Sequence, residues 1–183
     1  MKYARDSRPG ISHEKTAQLL FEALPWIKNL TGKTIVIKYG GAAMVDPKLR
    51  DDVMSDIVLL KIIGVSPVIV HGGGADINAA LKHYDIPVEF KDGQRVTSPE
   101  AMEIVREVLV GKVNQELVAA INQHGNLAVG VSGADAGTII AEQLDPDLGR
   151  VGNIVRVNSG YLESIMANDY IPVVATVAAG EDG

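Results

Sequence analysis

Three short segments of the chain bring together residue types that could handle a transferring phosphate and a carboxylate. Lys38-Tyr39-Gly40-Gly41 closes a β-branched run, Thr34 to Tyr39. A lysine at the carboxyl end of a strand can reach the crevice where open α/β sheets bind ligands. Gly40 and Gly41 leave bare backbone whose N–H groups can meet an anion. His71-Gly72-Gly73-Gly74 closes a second apolar run, Pro67 to His71. One glycine usually suffices for a strand-to-helix turn, so three point to a phosphate or carboxylate cradle. The third segment is Gly93-Gln94-Arg95-Val96-Thr97, where an arginine beside a glycine turn suits bidentate capture of a carboxylate.

Each segment also has a plainer reading. Lys38 fits a surface lysine before an ordinary turn, and Arg95 fits an exposed hairpin arginine. The triple glycine is neither a Walker A loop, which needs a following Gly-Lys-Ser/Thr, nor a dinucleotide fingerprint. His71 reads as a structural histidine hydrogen-bonded at the strand end rather than a general base. A carboxylate acceptor is already ionised near neutral pH and needs no base. Gly130 to Gly137 is a small-residue loop that defaults to a turn, and Asp52 and Asp56 read as a solvated helix face. His13, His83 and His124 lack ligand spacing, so no metal site is read.

The elements that must hold these residues follow from periodicity. Residues 1–11 read as a flexible tail ending at Pro9-Gly10. Ser12 is a candidate N-cap for a helix over residues 12–30, with Pro25 expected to kink it near Leu24. Residues 31–183 read as one lobe. Its first strand, Thr34 to Tyr39, is expected to be buried. A helix follows from Pro47 to Ile63, with Leu49, Val53, Ile57 and Leu60 on its inner face. Pro67 to His71 is the second strand, and a helix runs from Ala75 to Tyr84 with Ile77 and Leu81 inward. Strand, glycine cluster and helix thus occur twice. That βαβ pattern predicts a mainly parallel sheet with both clusters at its carboxyl edge.

Phe90 to Thr97 reads as a hairpin, and Ser98-Pro99 as N-cap and first residue of a helix reaching His124, bent at Gly111. Candidate strands are 127–131, 138–141, 154–157 and 171–176, with a helix over 159–168. The ending Gly180-Glu181-Asp182-Gly183 is a turn signal directly after a core strand, which predicts a truncated lobe.

Composition narrows the classes. The 183 residues are 46% hydrophobic and 22% charged, enough for a core. A net charge of −6 carries no nucleic-acid footprint. The absence of cysteine excludes disulfides, thiolate metal sites and cysteine nucleophiles. No apolar stretch reaches membrane-spanning length and no secretory signal is evident, so a cytoplasmic, soluble protein is expected.

The three segments together, from about Ile11 to Gly183, resemble the amino acid kinase family. The Gly93 to Thr97 segment and Val110-Gly111-Lys112-Val113-Asn114 resemble its acetylglutamate kinases. The resemblance implies a three-layer α/β sandwich with a mainly parallel sheet, stopping before the nucleotide-binding lobe. It implies phosphoryl transfer from ATP, with Mg2+ held mainly by the phosphates, to the side-chain carboxylate of N-acetyl-L-glutamate, a step of arginine biosynthesis. Lys38 would be catalytic. Gly40, Gly41 and Gly72 would meet phosphate, while Gly73, Gly74 and Arg95 would meet substrate.

A homodimer is implied as well. In arginine-inhibited members a kinked N-terminal helix links dimers into a hexamer, and Phe21, Leu24 and Trp26 would be its partner-facing surface; packing of that helix on its own lobe is the alternative. The family also carries a substrate-binding asparagine, a lysine-organising aspartate and a second lysine beyond the position of Gly183, so this piece alone is expected to be inactive or nearly so. Other carboxylate kinases of the family, and the non-catalytic sensing lobe of acetylglutamate synthases, remain rival readings.

Overall fold

The structure is a computed structural model and describes residues 12–181. The expected tail, residues 1–11, and the last two residues of the terminal turn lie outside the described residues.

Helix α1 (His13–Leu30) starts where Ser12 accepts a hydrogen bond from the Lys15 N–H, and it runs on through Pro25. Strand β1 (Thr34–Tyr39) leads through the short helix α2 (Ala42–Val45) and α3 (Pro47–Ile62) to β2 (Ser66–His71). Helix α4 (Gly74–His83) follows directly. A two-stranded hairpin, β3 (Phe90–Lys91) and β4 (Gln94–Arg95), turns at Asp92 and Gly93, both at positive φ. Two successive residues in the left-handed region are what a tight hairpin turn requires, and glycine takes that conformation without strain.

Ser98 caps α5 (Pro99–Arg106) by accepting from the Ala101 N–H. The helix then widens into a π-helical stretch, Glu107–Val113, before α6 (Asn114–Asn122). The bend expected at Gly111 is therefore a π-bulge, a feature that often marks functional sites. Strand β5 (Ala128–Ser132), the antiparallel ribbon β6 (Ile139–Gln143) and β7 (Gly152–Val157), α7 (Gly160–Ala167) and β8 (Ile171–Ala175) complete the order.

The main sheet has four strands in the order β1-β2-β8-β5, and every pairing is parallel. Successive side chains alternate between its faces. Ile69, Ile171, Val173 and Ala175 join Tyr39 and the helices α3 to α6 in the main core. Val68, Val131 and Val174 face the other way and pack with Ile165 of α7. Helices thus lie on both faces, as the α/β sandwich expectation requires.

Three expectations need correction. Strand β1 is not fully buried: Thr34, Val36 and Lys38 are exposed while Ile35, Ile37 and Tyr39 turn inward. It is an edge strand, covered on one face only, and Val36 is 65% exposed. The inner face of α3 is formed by Met54, Ile57 and Val58, with Leu49 exposed. Leu59 and Ile62 are exposed too, so apolar residues ring this helix and its pattern does not single out the packed side. Finally, α1 buries no residue in this chain. Phe21 and Trp26 are 72% and 73% exposed.

Candidate active site

The register of β1 on β2 decides where the glycine clusters go. Lys38 pairs with Val70 and Tyr39 with His71, so both strands end level and both turns leave the same sheet edge. The turns touch: the Gly72 N–H donates to the Tyr39 carbonyl at 3.4 Å. The Tyr39 ring is buried, and its hydroxyl donates to the Ala43 carbonyl at 2.6 Å, tying the strand end to α2. Burial raises the pKa of this hydroxyl, which keeps it a neutral donor. Lys38 lies on the opposite face of β1 with its side chain exposed, two residues before the first turn.

The glycines of the two turns differ in what they have room for. A Cβ on Gly40, Gly41, Gly72 or Gly74 would meet no heavy atom within 4 Å. Packing therefore does not demand glycine at Gly40, Gly72 or Gly74, and at Gly40 and Gly74 the open space lies beside N–H groups not engaged by Tyr39, which is what an anion needs. Gly41 has its own reason, a φ of +66°. Gly73 is the exception among the three. A Cβ there would come within 2.9 Å of Leu109 and 3.2 Å of Val113, so the π-helical stretch packs directly on it. Gly73 is the N-terminal cap of α4, and its carbonyl accepts the Ile77 N–H at 2.9 Å.

His71 is structural in its contacts. It is 1% exposed. Its Nδ1 lies 3.0 Å from the Gly72 carbonyl and its Nε2 lies 3.0 Å from the Asn114 side-chain amide. Burial is the main reason its pKa falls below the usual imidazole value, with the Gly72 hydrogen bond opposing.

Arg95 is half-buried rather than an exposed hairpin residue. One terminal nitrogen, Nη2, donates to the Asn78 side-chain carbonyl on α4. The guanidinium carbon stands 4.9 Å over the Phe90 ring. The other terminal nitrogen, Nη1, is buried and has no acceptor among the described residues. A desolvated N–H of a permanent cation with no partner is costly unless an anion arrives. The hairpin is fixed from below: Lys91 reaches Asp145 at 3.2 Å and Asp147 at 2.7 Å. Thr97 donates to the Leu148 carbonyl at 2.9 Å and accepts from the Arg150 N–H at 2.7 Å.

Of the segment Gly130 to Gly137, Gly130 to Ser132 end β5 and Gly133 to Gly137 form a turn. Asp135 accepts the Ser132 N–H at 2.8 Å, and Gly133 fits closely against the Val177 carbonyl and Ile139. Asp52 and Asp56 are both exposed.

Residues 33–183 match the amino acid kinase family profile. The chain belongs to the amino acid kinase family. An acetylglutamate kinase of Caldicellulosiruptor bescii is 49% identical over 174 residues, covering 91% of this chain and 59% of the relative. The chloroplastic acetylglutamate kinase of Arabidopsis thaliana is 49% identical over 174 residues, covering 94% of this chain and 50% of the relative. This amino acid kinase chain thus spans between half and three-fifths of their length.

The structure of smu.665 from Streptococcus mutans UA159 superposes with a TM-score of 0.74 at 31% identity, over 82% of this chain and 61% of that one. An N-acetylglutamate synthase from Neisseria gonorrhoeae shares the fold at a TM-score of 0.77 and 19% identity, over 91% of this chain and 39% of that one.

Within this amino acid kinase fold, two supporting pairs escape a sequence reading. Asn78 sits one turn into α4 and binds Arg95 from there. Lys112, on the π-helical stretch, holds Asp76 in the first turn of α4 at 2.6 Å, which raises the lysine's pKa. Asn78 leaves no distinguishing signal in the sequence. Asn114 does leave one, being a polar residue among Leu109, Val113 and Leu117 at helical spacing.

Proposed function

We propose that the parent protein is an acetylglutamate kinase, which moves the γ-phosphoryl of ATP onto the side-chain carboxylate of N-acetyl-L-glutamate in arginine biosynthesis. The observation that carries this reading is the meeting of two glycine turns at one sheet edge, where the Gly72 N–H bonds the Tyr39 carbonyl at 3.4 Å. The 49% identity to acetylglutamate kinases over nine-tenths of the chain supports the choice of acceptor.

In this reading the acceptor carboxylate is already ionised, so catalysis is positioning plus charge stabilisation. Gly40 and Gly41 offer N–H groups to the phosphates, and Gly72, whose own N–H is turned to the Tyr39 carbonyl, leaves bare Cα surface beside them. Gly73 and Gly74, at the open start of α4, meet the substrate. Arg95 takes the substrate's α-carboxylate on its unpartnered Nη1. Lys38 is the catalytic cation, neutralising charge on the phosphoryl group in flight. The donors at this edge are N–H groups and cations. Among the described residues no group of three or more His, Asp or Glu is placed to hold a metal. Mg2+ fits here only as a counter-ion carried on the ATP phosphates, whose charge it offsets.

A homodimer, and a hexamer joined through α1, is the assembly that fits the exposed Phe21, Leu24 and Trp26. No described helix is long and apolar enough to cross a membrane, and a cytoplasmic location belongs to the same reading.

The test uses two proteins. One is the 183-residue chain; the other is that chain continued by the carboxyl-terminal part of the Caldicellulosiruptor bescii acetylglutamate kinase. The extended chain is expected to form acyl phosphate, trapped as hydroxamate, from ATP and N-acetylglutamate. The 183-residue chain is expected to be inactive or nearly so. Arginine binding without turnover in the extended chain would favour a sensing lobe and defeat the kinase reading.

A further inference from the structure

The Val173 carbonyl can only accept a hydrogen bond. The Asn114 side chain approaches it at 2.8 Å, so the group it presents is the NH2. The second proton of that NH2 is directed to His71 Nε2 at 3.0 Å. Nε2 must then carry a lone pair, which leaves the ring proton on Nδ1. Nδ1 lies 3.0 Å from the Gly72 carbonyl, another obligate acceptor. One side chain on α6 thereby selects the tautomer of a histidine on β2, and the histidine holds the Gly72 C=O against its ring. Across a trans peptide the C=O and the next N–H point in opposite directions, and the described residues contain no cis bond. The Gly73 N–H is consequently turned away from the imidazole. Gly73 is buried, yet its N–H finds no acceptor among the described residues. Helix N-termini leave N–H groups without an intrahelical partner, so the Gly73 N–H, at the start of α4, is placed to donate to a group from outside the described residues.

We propose that Asn114 is a positioning residue: through the Nδ1–H tautomer of His71 it sets the Gly72–Gly73 peptide so that the Gly73 N–H faces an anionic ligand, carboxylate or phosphate. This rests on the kinase reading only for the identity of that ligand. Gly130 backs the arrangement from β5. A Cβ at Gly130 would fall 2.0 Å from Asn114 Oδ1, so the amide fits only because glycine stands there.

The test is ring-nitrogen NMR on the 15N-labelled 183-residue chain at neutral pH, without ligand. His71 is expected to show a protonated Nδ1 and a bare Nε2; a protonated Nε2 overturns the proposal. Asn114→Asp replaces the donor by an acceptor, and is expected to move the His71 proton to Nε2 and shift the Gly73 amide resonance. It should also weaken N-acetylglutamate binding about tenfold or more, the loss that follows from one misdirected buried donor. Gly130→Ala keeps the amide but displaces it and should move the same resonances in the same direction. It therefore decides the question if Asn114→Asp does not fold. A change of tautomer that leaves the Gly73 amide unmoved overturns the proposal. If the wild-type tautomer is as stated and both variants move Gly73, but N-acetylglutamate perturbs no resonance while inorganic phosphate does, the positioning role stands and the acceptor assignment falls.

Discussion

The two glycine turns lie side by side at one sheet edge, yet the protein supports them in different ways. The Gly72–Gly74 turn is braced from three sides. His71 grips its first carbonyl, Leu109 and Val113 press on Gly73, and Lys112 anchors the first turn of α4 through Asp76. Among the described residues, the Gly40–Gly41 turn is held only by backbone and Tyr39 contacts to its neighbour and to α2, with open space where its side chains would be. A braced turn is pre-organised, and a ligand meets donors already in place. An unbraced turn at the edge of a half-covered strand takes its final shape from what binds there. Under the proposed kinase reading, the braced turn would meet the acceptor and the less braced one the nucleotide's phosphates.

The largest effect should come from the cation beside the unbraced turn. Lys38→Met in the extended chain is expected to lower kcat by about 10²–10³-fold, the scale of losing one preorganised charge donor, roughly 2–4 kcal/mol. Lys38 is exposed, so the urea midpoint of the 183-residue chain should scarcely move. A large loss of stability with intact kcat would mean that Lys38 is a structural strand residue and the catalytic assignment is wrong.

Next in size is a stability contrast between the turns. Gly73→Ala drives a methyl to within 2.9 Å of Leu109 and 3.2 Å of Val113. Overpacking of that kind costs about 1–3 kcal/mol. Gly40→Ala meets nothing within 4 Å and should cost under about 0.5 kcal/mol. Gly41→Ala falls between, since a φ of +66° suits glycine and costs another residue roughly 1–2 kcal/mol. Urea unfolding of the three variants would order them. Equal losses at Gly73 and Gly40 would erase the contrast between a braced turn and an open one.

Much of the fold was legible because β1 and β2 are β-branched runs closed by glycine, and the caps of α1 and α5 follow local chemistry. Ser12 and Ser98 cap the helices expected of them. The parts that were not legible depend on neighbours distant in the chain. That β1 is an edge follows from what fails to lie beside it, and six residues of sequence hold no record of that. The packed side of α3 was hidden because Leu49, Leu59 and Ile62 are as apolar as Met54 and Val58. At the site, Lys38, the glycines and Arg95 could be singled out by type and by position after strands. Their supports could not: His71 and Asn114 are 43 residues apart, and Arg95 and Asn78 are 17 apart. Only the packing of α6 against β2 and β8 and the approach of the hairpin to α4 bring them together.

The smallest effect probes the brace itself through pH. His71 is buried as the neutral imidazole, and burial places its pKa below the unfolded value of about 6.5. Below that value the unfolded chain binds a proton that the folded chain refuses, so stability falls as pH falls. The contribution of neutral His71 is fully present above about pH 6.5 and is lost progressively as pH drops towards its lowered folded value. His71→Gln removes this titration. The stability gap between the 183-residue chain and the variant should therefore narrow between pH 7.5 and pH 5, as roughly measured by urea unfolding at each pH. A gap that stays constant would mean that the folded state accepts the proton freely. In that case the Nδ1–H to Gly72 contact would not depend on a neutral ring.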